Sequence, residues 1–258
     1  MERSKARDII FYCLGIILIG CLVQALGWMK NDRLVFPDVF EILRAFFRLL
    51  GDGRTWLKIW VTLRHLVEAL ALSALIGIAV GLLEGLCGAV RALLRPLMSM
   101  LRAMPMIVVV VVVMVLTDYG RVPLIASCLI LVPLISEAAC EGCRRIDREL
   151  IDVYRMNSAL NLTVIRRVYL PMTAGYLKQA FINAVGMGIK LTVTGEYLVQ
   201  TRDSLGKAVY SSAYFNEYQD IYAYALIMIL LVLAVTLLPG AAGRFLRRLK
   251  PDTEETPE

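Results

Sequence analysis

Residues 149–171 read Glu149-Leu150-Ile151-Asp152-Val153-Tyr154-Arg155-Met156-Asn157-Ser158-Ala159-Leu160-Asn161-Leu162-Thr163-Val164-Ile165-Arg166-Arg167-Val168-Tyr169-Leu170-Pro171. They form a polar, basic island in a strongly apolar chain. Leu150, Val153 and Tyr154 recur at helical spacing, which predicts a short amphipathic helix. Asn157 and Ser158 interrupt it, Val164, Ile165 and Val168 mark a second short helix, and Pro171 starts the next element. A short helix placed between two membrane spans offers its face to a partner.

The surroundings make those spans. Of 258 residues, 59% are hydrophobic, and the mean hydropathy is +0.67. Soluble domains run at roughly 45–50% apolar, so the composition predicts a membrane protein. The net charge of +6 comes from basic clusters beside apolar runs, the pattern for headgroup contact rather than nucleic-acid binding. Cys140-Glu141-Gly142-Cys143 has the gap of a metal or redox pair. A zinc site needs about four ligands, and the only histidine, His65, is distant in sequence. The two thiols therefore read as the end of a span, and no metal or cofactor is expected.

Arg3, Lys5 and Arg7 precede Ile9–Trp28, an uncharged stretch long enough to cross a core of about 30 Å. It is longer than the apolar core of a signal peptide and reads as a retained first helix. Phe36-Pro37-Asp38 opens an amphipathic helix, Val39 to Leu50, with Phe40, Leu43, Phe47 and Leu50 on one face; it is expected in the interface or against the bundle. The second span runs from about Leu63 to Leu86, with Gly77 and Gly81 at small-xxx-small spacing. Pro96 opens the third, which ends near Thr117. Its Val108–Val113 run would suggest a strand in water, but an isolated strand leaves its backbone unpaired in lipid, so a helix is predicted. The fourth span covers 122–139 and the fifth 172–199. Gln200–Gln219 is a polar connection, and Ile221–Gly243 is the last span. Arg244, Arg247, Arg248 and Lys250 stop it, and the acidic end 251–258 is expected to be disordered.

The chain is thus predicted to be an all-α membrane protein of about six transmembrane helices. Its parts are 1–62 (first helix and amphipathic segment), 63–243 (a five-helix core with the loop 142–171) and a terminal 244–258. Lys and Arg are denser in the segments that lie inside when both termini are cytoplasmic, which favours that orientation and exposes 149–171 to a cytoplasmic partner.

The spacing of that loop resembles the signature of ABC-importer permeases: Glu-Ala-Ala, three residues, Gly, nine residues, Ile, one residue, Leu-Pro. Here it reads Asp152-Val153-Tyr154, then Ser158, then Val168-Tyr169-Leu170-Pro171. A literal Glu137-Ala138-Ala139 lacks the Leu-Pro at the required distance. Other landmarks resemble the nitrate/sulfonate/taurine type. They are Leu34-Val35-Phe36-Pro37, Gly77 with Gly81, Arg95-Pro96-Leu97, Leu101-Arg102-Ala103-Met104-Pro105, Gly142 with Ile146-Asp147, Gly195-Glu196-Tyr197 and Ser204-Leu205-Gly206.

The resemblance implies the type I ABC importer permease fold in a bacterial inner membrane. It implies a second permease subunit, identical or different, a cytoplasmic ABC ATPase and an extracytoplasmic substrate-binding protein. It also implies a small solute such as a sulfonate, taurine, nitrate or a pyrimidine or other vitamin precursor. The coupling helix would then be Asp152, Val153, Tyr154, Met156, Asn157, Ser158 and Ala159. No phosphate-binding loop occurs: Gly206-Lys207-Ala208 lacks the upstream glycine spacing and the Ser/Thr. The chain itself is therefore not expected to be an enzyme.

Polar residues inside spans are costly and face a cavity or the bundle. Asn183, Lys190, Thr194 and Tyr197 share one helical face. With Glu196 and Met104, the first three are the candidates for the translocation pathway. Lys190 is read as a contact for an anionic solute, a partner of Glu137 or Glu196, or a snorkelling interfacial cation. Two other classes fit the composition. One is an ion-coupled secondary transporter using Glu137, Glu196 and Lys190 as a relay; the other is a membrane anchor for a cytoplasmic partner.

Overall fold

The computed structural model describes residues 37–147 and 161–249, with Gly15 and Glu149 besides. The first expected span, Ile9–Trp28, and the central part of the 149–171 loop lie outside the described residues. Within them the chain is helical, with no strand.

The amphipathic helix forms as α1, Val39–Gly51, and its first turn is closed by the Asp38 N–H donating to Glu41 Oε2 at 3.2 Å. Ala45 and Leu49 face inward. The aromatic face is turned away from the chain, Phe40 being 85% and Phe47 68% exposed. α2, Gly53–Leu86, begins ten residues before the span read from sequence. Asp52 ends α1 and caps α2 through its carboxylate on the Arg54 N–H at 3.0 Å. The charged residues 54–64 therefore decorate a helix rather than a loop.

The third span is corrected. It is not one helix but α3, Gly88–Ala103, followed by α4, Met106–Leu116, at an angle of 105°. Pro105 disfavours helical geometry at Met104, whose ψ is 128°. Pro96, expected to open the span, sits inside α3. The valine run is helical as predicted. A 3-10 turn, Tyr119–Arg121, leads into α5, Val122–Arg144. After the loop, Leu162–Val164 and a π-helical turn, Ile165–Tyr169, lead into α6, Leu170–Val199. The expected polar connection instead holds α7, Leu205–Tyr214, capped by Ser204 Oγ accepting from the Lys207 N–H at 3.1 Å. α7 is retained because Leu205 and Ala208 are buried with Ala45, Leu49, Ile59 and Ala223. The last helix, α8, is Tyr218–Leu249.

Among the described residues, three stretches are long and apolar enough to cross a membrane: Gly53–Leu86, Tyr119–Arg144 and Tyr218–Thr236, with the bent α3–α4 pair a fourth. α6 is long enough, but polar residues along one side keep it below that standard.

Two packed regions hold the bundle. In the first, α4, α5 and α6 bury Val110, Val122, Leu131, Ile135 and Ala184 completely. In the second, α1, α2, α7 and α8 meet around Leu205 and Tyr224. α2 and α5 come closest along Gly77, Gly81 and Gly85. A Cβ on Gly81 would lie 2.3 Å from the Ser136 carbonyl oxygen, and one on Gly85 would lie 2.5 Å from Cys143 Cβ. The small-residue spacing read in the sequence is a backbone contact surface.

Candidate translocation and coupling site

The loop's central residues, Asp152, Val153, Tyr154, Met156, Asn157, Ser158 and Ala159, lie outside the described residues. Its stem is described. Cys143 and Ile146, at the end of α5, bury against Val168 and Tyr169 from the π-helical turn, with Leu82 and Leu86 of α2 beside them. A Cβ on Gly142 would lie 2.9 Å from Thr173 Cβ, so the end of α5 and the start of α6 are closely packed on either side of the loop. Asn161 caps the returning helix, its Oδ1 accepting from the Val164 N–H at 2.9 Å. On the outgoing side Arg145 Nε donates to Glu141 Oε1 at 2.8 Å, and that hydrogen bond raises the Arg145 pKa. The stem thus packs the ends of α2, α5 and α6 together.

α6 has two unlike faces. One buries Ala180, Ala184, Gly188, Ile189, Thr192 and Glu196 against the bundle. The other carries Gln179, Asn183, Lys190 and Thr194, all exposed. At 100° per residue these four and Tyr197 fall on one narrow stripe. Their polar groups are only locally satisfied. Gln179 Nε2 donates to Asn183 Oδ1 at 3.4 Å, and Thr194 Oγ1 to the Lys190 carbonyl at 2.7 Å. Asn183 and Lys190 meet in a cavity of about 620 Å³ with Gly186, Met187, Val232 and Thr236. Among the described residues the Lys190 ammonium has no ion-pair partner.

The other pathway candidates lie elsewhere. Met104 sits at the α3–α4 break, 39% exposed. Glu196 is 0% exposed and points away from the stripe. Its Oε2 accepts from Thr62 Oγ1 at 2.8 Å and from the Gly206 N–H at 3.2 Å, and its Oε1 lies 2.8 Å from His65 Nδ1. Thr62 Oγ1 in turn accepts from the Leu205 N–H at 3.0 Å. One carboxylate thus ties α2, α6 and the start of α7. Neither carboxylate considered for Lys190 is its partner, since Glu137 pairs with Arg102 and Glu196 with His65. Glu137, Glu196 and Lys190 occupy three separate settings rather than one relay.

Thr62 and His65 are the members that sequence reasoning did not find. Their signal was a lone imidazole and a hydroxyl three residues apart in a segment read as mixed. Their partner stands 131 residues from His65.

Comparison with known proteins gives the arrangement a context. The family described as "Binding-protein-dependent transport system inner membrane component" matches residues 73–250. No curated relative matches the sequence. Among solved structures, the chain is similar to the MetNI methionine ABC transporter in inward-facing conformations. For the CY5 SeMet soak crystal form the TM-score is 0.64 at 19% identity, covering 78% of this chain and 100% of that one. For the CY5 native form it is 0.56 at 20% identity, covering 75% and 98%. That likeness is one of fold, the type I ABC importer permease fold.

Proposed function

Because the chain belongs to the family of binding-protein-dependent transport system inner membrane components, we propose that it forms part of the solute pathway of an ATP-driven importer and is worked by a separate ATPase. The observation that carries this reading is the exposed polar stripe of α6, with Lys190 and Asn183 opening onto a 620 Å³ cavity. A charged group inside a span costs about 2.5–3.5 kcal/mol on insertion scales when it faces hydrocarbon. Such a stripe belongs against water, a solute or a second permease subunit, all of which meet along a pathway built by two subunits.

The 149–171 loop is the place where the ATPase docks, with Asp152, Val153, Tyr154, Met156, Asn157, Ser158 and Ala159 as its contact helix. The packed stem of Cys143, Ile146, Val168 and Tyr169 supports this, because it joins the two ends of the loop to α2, α5 and α6. Both termini are then cytoplasmic, and a substrate-binding protein delivers the solute from the other side. The nitrate/sulfonate/taurine type is the branch whose sequence landmarks the chain fits.

The test is uptake into vesicles carrying the co-purified complex, using the solute that mass spectrometry identifies in it. Uptake is expected to need ATP and no ion gradient; gradient-driven uptake without ATP overturns the reading. Ser158→Arg is expected to leave the protein inserted while losing the ATPase and uptake. Unimpaired co-purification and transport in that variant would remove the loop from the coupling role.

A further inference from the structure

A second cavity, of about 230 Å³, lies between α3, the end of α2 and α5 and shares no lining residue with the cavity at Lys190. Three acids and three guanidiniums line it: Glu84, Glu137 and Glu141, with Arg91, Arg95 and Arg102. Their pairing is uneven. Arg102 is taken by Glu137, and Glu141 by Arg145 and Arg144, which lie at 2.8 and 4.0 Å. Arg91 and Arg95 have no ion pair among the described residues. Glu84 is 7% exposed; its Oε2 accepts from Ser136 Oγ at 3.1 Å, while its buried Oε1 has no partner among the described residues.

A buried carboxylate oxygen left without a donor is costly, and here Glu84 lines a cavity together with two guanidiniums that have no ion pair among the described residues. We infer that this cavity binds a primary ammonium next to an oxyanion. The ammonium donates to Glu84, and Arg91 and Arg95 fork onto the oxyanion. An ammonium supplies three donors and no acceptor. A guanidinium matches two oxygens of a phosphate, sulfonate or carboxylate at once. Arg91, Arg95 and Arg102 share one side of α3. Leu93, Leu97 and Met100 form the opposite side and are 75%, 50% and 58% exposed. α3 buries none of its residues and stands at 105° to α4, as a helix lying in a membrane interface would. The same ammonium–oxyanion chemistry is offered by a phosphatidylethanolamine headgroup and by a small soluble zwitterion. This site is independent of the pathway proposed above.

The full-length chain in detergent is given an equimolar mixture of phosphatidylethanolamine, phosphatidylcholine and phosphatidylglycerol, and the retained lipid is read by native mass spectrometry. In a second arm, lipid-depleted protein is titrated with O-phosphoethanolamine and its thermal unfolding followed. A lipid ligand gives retention of the ethanolamine lipid about tenfold or more over the other two. A soluble ligand gives a rise in Tm with O-phosphoethanolamine and no lipid preference. In either case Glu84→Gln removes the preference for the ammonium, and Arg95→Gln, at an exposed position that leaves the fold intact, weakens binding of the oxyanion. Equal retention of all three lipids with no response to O-phosphoethanolamine overturns the inference. So does an unchanged response in Arg95→Gln.

Discussion

The Glu196 carboxylate and the His65 imidazole meet at 2.8 Å across α6 and α2, at a point where the carboxylate is wholly buried. Thr62 and the Gly206 N–H complete its shell. Replacing Glu196 with Ala leaves several buried polar groups unmatched, each costing about 1–3 kcal/mol. The expected total loss is about 3 kcal/mol or more. Gln keeps an oxygen for Thr62 and Gly206 and should lose about 1–2 kcal/mol, on the same scale. Thermal unfolding of the purified variants reads the order. Equal stability of Glu196→Ala and wild type would mean that the shell does not hold α7 to the bundle.

Gly81 sets the distance between α2 and α5. A methyl group there would stand 2.3 Å from the Ser136 carbonyl oxygen and 2.7 Å from Ala139 Cβ. The first of these is backbone and cannot rotate away. Overpacking of this kind costs about 1–3 kcal/mol, so Gly81→Ala should lower Tm and the yield of folded protein. Gly88→Ala is the control, because nothing lies within 4 Å of its added Cβ. Equal behaviour of the two variants would contradict the close helix contact.

The Arg102–Glu137 pair joins α3 to α5, with side chains 42% and 60% exposed. Exposed pairs are worth about 0.2–1 kcal/mol and weaken with salt. A double-mutant cycle with Arg102→Gln and Glu137→Gln should give a coupling at or below about 1 kcal/mol, smaller still in high salt. A salt-independent coupling of several times that size would require a drier setting for the pair.

Much of the bundle was legible in the sequence, for identifiable reasons. The Val108–Val113 run had to be helical once the chain was placed in lipid, and Gly77 and Gly81 announced a close helix contact by their spacing. What escaped was decided by tertiary partners. Arg54, Lys58 and Arg64 looked like loop residues, because nothing local revealed that α2 continues through them. α7 is short and polar on one side, and the burial of Leu205 and Ala208 against three other helices keeps it. The break at Pro105 was visible as a proline, but not its 105° angle. For Glu196 the sequence named the acid and missed its partners, since Thr62 and His65 lie more than a hundred residues away. For Lys190 the sequence placed the charge on the face it occupies, yet offered it carboxylates that are engaged elsewhere.

Without an ion pair among the described residues, Lys190 is the most direct test of the pathway. It is exposed on α6, where it lines a cavity with Asn183 of α6 and Val232 and Thr236 of α8. Lys190→Met keeps the length and apolar stem of the side chain and removes the charge, so unfolding free energy should stay within about 0.5 kcal/mol of wild type, as for surface changes. If the ammonium meets the solute along the pathway, ATP-dependent uptake should fall by about tenfold or more, the loss expected of one charge-assisted hydrogen bond. ATPase binding, proposed to run through the 149–171 loop, should be untouched. Lys190→Arg retains the charge in a bulkier fork and should recover part of the uptake. Uptake by Lys190→Met at the wild-type rate would place Lys190 outside the pathway. A loss of subunit association in its place would assign the stripe to the contact between two permease subunits.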